Sequence, residues 1–211
     1  MFPSTQWAAA QAVPHSQKDN YLKAPEKAGA FCCVDIIIYG FYTYITRGDD
    51  MFRYMVASEK MCEKRWQKIV DAHPGDVRWE NWRREYMEYY RKGMAQHFVI
   101  TDDEDPVGEV TLLYSPVCKA LGGREILADM HTTANINGLR IDKHYEGQGH
   151  ISKLMKAVEK YAAEKGYEYL TIGVTSTHTR TKGIYQHFGY TELLFSEWDD
   201  GVVVEYYRKK I

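Results

Sequence analysis

A chain of 211 residues is long enough to bury a sizeable core, and its length suits one domain with an appendage. Its 27 Lys+Arg against 29 Asp+Glu leave a formal net charge of -2, which gives no electrostatic case for nucleic acid or an anionic membrane as partner. No apolar run approaches the roughly 20 residues needed to span a bilayer, and the N-terminus lacks a basic-then-apolar secretory pattern, so a cytoplasmic location is expected.

Residues 1–30 mix Pro3, Pro14, Pro25, serines and lysines with little periodicity, and are expected to form an irregular extension to a domain over 31–211. From Phe31 to Thr46 the run FCCVDIIIYGFYTYIT is β-branched and aromatic, which predicts a buried strand, or a strand pair broken near Gly40. The cysteines (Cys32, Cys33, Cys62 and Cys118) lack a disulfide-framework spacing and read as free thiols in a reducing compartment. Met51 to His73 carries Met55, Cys62, Trp66, Ile69 and Val70 at helical spacings, with Pro74-Gly75 as its stop. A second helix follows, with Trp79, Trp82, Tyr86 and Tyr90 on one face and Gly93 near its end. That aromatic stripe is core packing first, although a pocket wall must itself pack.

HFVITDD and PVGEVTLLY read as successive antiparallel strands joined across Asp102–Pro106. Ser115–Met130, with Gly122-Gly123 inside it, reads as a long and flexible substrate-side loop. The next strand, His131 to Asp142, holds Asn137-Gly138. Such a pair is a hairpin signal, but Gly inside a strand also marks a bulge or a close backbone approach, and the bulge is preferred here.

The stretch from Ala134 to Gly166 organises the rest. An extended apolar piece, ANINGLRID, leads into the glycine-bearing KHYEGQGH and then into ISKLMKAVEKYAAEKG, where Ile151, Leu154, Met155, Val158, Tyr161 and Ala162 share one helix face. Strand, glycine turn and helix put unpaired N–H groups and the positive end of a helix dipole at the turn, a site for phosphate. YLTIGVT reads as the following buried strand, so the unit is strand–helix–strand with a parallel pairing. A P-loop pattern is absent. A dinucleotide fingerprint fails too, because Ser152 stands third after Gly147 and Gly149 and the next strand ends in Thr175-Ser176 without an acid. A coenzyme A pyrophosphate site remains. The chain closes with YTELLFSEW and VVVEYYRKK, two strands joined across Asp199-Asp200-Gly201.

A second motif supports the coenzyme reading. HTRTKGIYQHFGYTE, His178 to Glu192, resembles the late helix of the GNAT superfamily of acyl-CoA-dependent N-acetyltransferases, with Ile184-Tyr185, Gly189 and Tyr190 in place. His178, Thr181 and His187 stand where that family more often has Asn, Ala and Lys. The earlier glycine turn resembles the family's cofactor loop, with Gly149 at its middle glycine and departures at Glu146 and Ile151. The resemblance implies an α/β (α+β) fold. Its sheet would be mixed and mostly antiparallel, with a splayed central parallel strand pair flanked by helices. It implies acetyl-CoA as co-substrate, the pantetheine arm bonding to main chain at Leu139, Arg140 and Ile141, and the pyrophosphate lying over Glu146, Gly147, Gln148, Gly149, His150, Ile151 and Ser152. Helices in the position of the Trp79–Tyr90 stripe line the acceptor pocket in that family, and homodimers are frequent in it.

The implied reaction moves an acetyl group from a thioester to the amine of a small molecule or peptide. It requires an unprotonated amine, stabilisation of the thioester oxygen, and a proton for the departing thiolate. Tyr185 matches the family's tyrosine and is the expected proton donor, at the end of the coenzyme. Asn135 stands where many relatives carry a glutamate base and cannot take a proton, though it can hold a water or the acceptor. Glu109, His131 and His178 are the other candidates for the base, and direct attack by an amine deprotonated in solvent is the default. The alternative reading is a catalytically weak acyl-CoA sensor or interaction module, suggested by Glu146, Ile151 and Asn135. A metal site is not expected, since no metal-ligand spacing occurs.

Overall fold

The computed structural model describes residues 52–199 and 201–211. The expectations for residues 1–30, the strand pair in Phe31–Thr46 and the thiols of Cys32 and Cys33 lie outside the described residues. In chain order the described elements are β1 (Phe52–Val56), α1 (Glu59–Asp71), α2 (Val77–Arg91), β2 (Ala95–Asp102), β3 (Asp105–Leu113), β4 (Thr133–Ile141), α3 (His150–Glu164), β5 (Tyr169–Thr175), α4 (Thr179–His187), β6 (Glu192–Asp199) and β7 (Val202–Lys210). They build one seven-stranded sheet in the order β1-β2-β3-β4-β5-β7-β6. Every neighbouring pair is antiparallel except β4 and β5. None of the described helices is long and apolar enough to cross a membrane.

Alternation along the strands supplies two cores, one on each face. On one face Phe98, Ile100, Val110, Ile136, Leu170 and Ile172 pack against Leu154, Met155, Val158 and Ala162 of α3, the apolar stripe read from the sequence. On the other, Val99, Leu113 and Tyr206 meet Cys62, Trp66 and Ile69 of α1 and Tyr86, Met87 and Tyr89 of α2. Cys62 and Cys118 are both free and buried.

Two sequence expectations are corrected. The helix drawn from Met51 begins at Glu59, because Phe52–Val56 forms the edge strand β1. Tyr54 and Val56 alternate into the core, and β1 runs antiparallel to β2 from Phe52↔Asp102 to Val56↔Phe98. Met55 therefore belongs to β1. Ser58 starts α1 by accepting the Met61 amide on its hydroxyl at 3.4 Å. The second correction concerns Ser115–Met130, which is packed down. Cys118, Leu121, Leu127 and Ala128 are fully buried there, and Met94 to Tyr114, then Tyr114 to Met130, are linked by main-chain hydrogen bonds.

Asn137-Gly138 makes no hairpin. The strand runs through it, and the register with β3 passes from Thr111↔Asn137 to Glu109↔Arg140, so two residues of β4 oppose one of β3. Gly138 takes φ 62°, a conformation that a side chain would strain. The bulge coincides with the end of the parallel pairing. β4 and β5 are bonded from Thr133↔Tyr169 to Ile136↔Ile172, and both strands continue beyond that point without each other.

Candidate active site

Where β4 and β5 part, a cleft of about 640 Å³ opens. Its walls are Trp82, Glu85 and Tyr86 of α2, Lys119 and Ala120 of the packed loop, and Asn135 through Arg140 of β4. Ile172 to Thr175 of β5, Tyr185 of α4, Asp199 of β6, and Val204 and Tyr206 of β7 complete it. Asn135, Leu139, Arg140 and Tyr185, four of the residues singled out in the sequence, are thus brought together.

The glycine turn lies one short helical turn beyond β4. Gly147 (φ 76°) and Gly149 (φ 81°) occupy left-handed backbone, and Gly149 caps the start of α3 with no side-chain bond to the helix amides. Glu146, Gly147, Gln148 and Gly149 are all exposed. The first amide of this helix with a main-chain partner is that of Lys153, which donates to the Gly149 carbonyl at 3.3 Å. The amides before it lack main-chain partners and stand at the positive end of the helix dipole, where an anion is favoured. Ile151 packs its side chain toward the core, so its branched carbon leaves the turn open. His150 differs from a solvent-facing ligand: its ring is buried, with Nδ1 2.6 Å from the Tyr54 hydroxyl and the ring 4.3 Å from that of Phe52. Its ring is therefore turned into the core and not toward the glycine turn. Gln148 is tied back, donating to the His144 carbonyl at 3.0 Å and lying 3.3 Å from His150 Nε2.

Tyr185 is half-buried at the cleft, and its hydroxyl makes no hydrogen bond to another described residue. Burial pushes its phenol up, so it keeps its proton across the neutral range. Asn135 is buried and donates through Nδ2 to Thr171 Oγ1 at 2.9 Å. Glu109 is buried on β3 and outside the cleft lining. Its Oε1 accepts from Arg140 Nη1 at 2.6 Å, and burial raises its carboxyl against the pull of Arg140 and Arg65. His131 and His178 are exposed and do not line the cleft. His178 precedes α4, its amide bonded to the Thr175 carbonyl at 2.9 Å.

Tyr86 lies on the aromatic stripe that the resemblance places at the acceptor pocket, and its hydroxyl reaches Asn137 Oδ1 at 2.5 Å. Asn137, read with Gly138 as a bulge, also lines the cleft. One residue beside Glu109 escapes sequence reasoning. Arg65, one helical turn from Cys62, is a buried cation bonded to Asp142 Oδ1 at 2.5 Å. A cation on the apolar face of a helix is the one signal that would have found it.

The sequence profile of the Acetyltransferase (GNAT) family matches residues 59–190. Comparison with curated proteins found no match. Among solved structures, RimL, a ribosomal L7/L12 alpha-N-protein acetyltransferase, is similar at 16% identity and a TM-score of 0.54, over 81% of this chain and 95% of that one. The same enzyme in complex with coenzyme A gives 15% identity and 0.51, over 76% and 94%. An N-acetyltransferase from Staphylococcus aureus gives 15% identity and 0.55, over 75% and 98%. The parted strands, the glycine-flanked helix start and the matched profile agree: the chain belongs to the acetyltransferase (GNAT) family, whose acyl donor is acetyl-CoA.

Proposed function

We propose that this protein transfers the acetyl group of acetyl-CoA to the amine of a small molecule or peptide, by direct attack on the thioester. The observation that carries the reading is the unpaired run of β4 and β5 beyond Ile136 and Ile172, which ends at the uncapped start of α3. Main-chain groups of Leu139, Arg140 and Ile141 that face away from β3 have no β5 partner there and can bond a pantetheine arm as a strand would. The amides of Gly147, Gly149, His150, Ile151 and Ser152, ahead of the first main-chain bond of the helix, hold the pyrophosphate. Bound acetyl-CoA supplies an activated acyl carbon and a thiolate leaving group.

In this reading Tyr185 gives its proton to the departing sulfur, a role supported by its protonated, unbonded hydroxyl at the cleft. A main-chain N–H at the Gly138–Leu139 bulge, where neither residue has a β3 partner, steadies the thioester oxygen. Asn135 positions the acceptor. Glu109 serves through its hold on Arg140, and His178 lies too exposed to act as base. A cytoplasmic location and a peptide or small amine as partner belong to this reading; RimL is an alpha-N-protein acetyltransferase of ribosomal L7/L12.

The test is to mix the protein with acetyl-CoA and a panel of amines and follow free thiol. Thiol release that depends on both is the expected result. A rise in melting temperature with acetyl-CoA but no release with any amine would favour the sensor module. The absence of both responses would remove the coenzyme site altogether.

A further inference from the structure

The floor of the cleft carries a line of hydrogen bonds whose direction is fixed at one end. The Leu127 carbonyl can only accept, so the Thr171 hydroxyl, 2.6 Å away, donates to it. Thr171 Oγ1 then has only lone pairs for Asn135, which must present Nδ2, at 2.9 Å. Asn135 therefore turns Oδ1 toward Asn137, whose Nδ2 stands 3.5 Å from it. Asn137 in turn offers Oδ1 to the Tyr86 hydroxyl at 2.5 Å. One carbonyl thus sets both amide orientations and commits the Tyr86 proton. Asn135 Oδ1, Asn137 Oδ1 and Tyr86 Oη keep unused lone pairs, carry no charge, and belong to residues that line the cleft.

We propose that this relay is the seat of the acceptor nitrogen, that it takes the N–H groups of a neutral primary amine, and that it selects weakly basic amines such as a peptide α-amine over alkylamines. The inference rests on the transferase reading. Asn135 touches the acceptor; Tyr86 and Thr171 are positioning residues that act through the two asparagines. The nitrogen forms its bond to the acyl carbon as the C–S bond breaks, the amine's proton leaves to water, and the sulfur takes the Tyr185 proton, which water restores.

The charged groups around the seat fit this role. Glu85 of α2 is ion-paired with Lys119 at 2.8 Å, and Arg140 of β4 is paired with Glu109. Tyr185 and Tyr206 are phenols, and burial pushes that of Tyr206 up to about 12. Asp199, exposed at the end of β6, is the remaining carboxylate of the lining. With no base committed to the relay, the acceptor's own basicity decides how much of it can react. At pH 7 an α-amine near 8 is unprotonated about two hundred-fold more often than a lysine amine near 10.4. The greater nucleophilicity of the stronger base narrows that advantage to about tenfold.

The experiment compares a lysine-free peptide bearing a free α-amine with its N-acetylated counterpart containing one lysine. The α-amine should win by about tenfold in kcat/KM at pH 7, and log kcat/KM should climb with pH and bend at the acceptor's own pKa, moving when a less basic amine is substituted. Tyr86→Phe should raise the acceptor KM several-fold while leaving that bend and the acetyl-CoA KM in place. A bend fixed at one pH for every acceptor, equal use of the lysine amine, or a bend displaced by Tyr86→Phe would each overturn the inference while leaving the transferase intact. The wild-type profile alone decides if the variant fails to fold. No thiol release with any amine would remove the transferase reading as well.

Discussion

Replacing His97 with glutamine should flatten the acid limb of this protein's stability. His97 sits on β2 opposite Thr111 and is 2% exposed. Its Nε2 faces the Tyr86 carbonyl at 3.4 Å and must carry the hydrogen, so Nδ1 accepts from the Thr111 hydroxyl at 2.8 Å. Burial lowers the imidazole to about 4, only partly opposed by the bond to the Tyr86 carbonyl. An unfolded histidine titrates near 6.5, so the unfolded chain binds the proton first. Stability is whole above about 6.5 and drains as the pH falls toward about 4. Across that window the loss is about 3 kcal/mol, of which about 2 kcal/mol falls between pH 7 and pH 5. Urea titrations of wild type and His97→Gln at those two pH values measure it. Wild type should lose about 2 kcal/mol more than the variant. Equal losses would mean that His97 admits its proton in place, and the argument from burial would fail.

Tyr185→Phe should lower kcat by about 10²-fold with little change in melting temperature, since the lost hydroxyl bonds to no described residue; stopped-flow thiol release and thermal melts check both. Gly138→Ala should cost about 1–2 kcal/mol from its φ of 62° alone, the nearest neighbours of an added Cβ being Arg140 nitrogens at 3.8 Å, and it should weaken coenzyme binding in calorimetry. Leu154→Ala, at a fully buried position between α3 and the sheet, should destabilise by about 2–5 kcal/mol in denaturant without changing the KM of either substrate.

How far the sequence reached depended on whether a signal was local. α3 announced itself because six apolar positions repeat at helical spacing and Gly166 stops them, and β5 because YLTIGVT is a short β-branched run whose Leu170, Thr171, Ile172 and Val174 are buried. β1 did not, since Met55 and Cys62 fit a helical spacing by coincidence; what makes Phe52–Val56 a strand is a partner more than 40 residues away. The bulge was legible in Gly138, but its consequence was not. Two residues against one on β3 displace Arg140 toward Trp66 and Trp79, whose rings lie 5.5 and 5.1 Å from its guanidinium carbon, and only the register reveals that. The asparagine relay was equally silent, because residues 86, 127, 135, 137 and 171 meet only after the sheet and α2 have packed.

A sheet normally ends at two margins, where unpaired strands invite other chains; this one has a third, internal margin where β4 and β5 diverge. Tyr185, Tyr86 and Arg140 are among the side chains that line that seam, so bulky groups stand where a second sheet would have to enter. The protein thereby keeps main-chain bonding capacity in reserve at its centre without exposing an adhesive border to its neighbours.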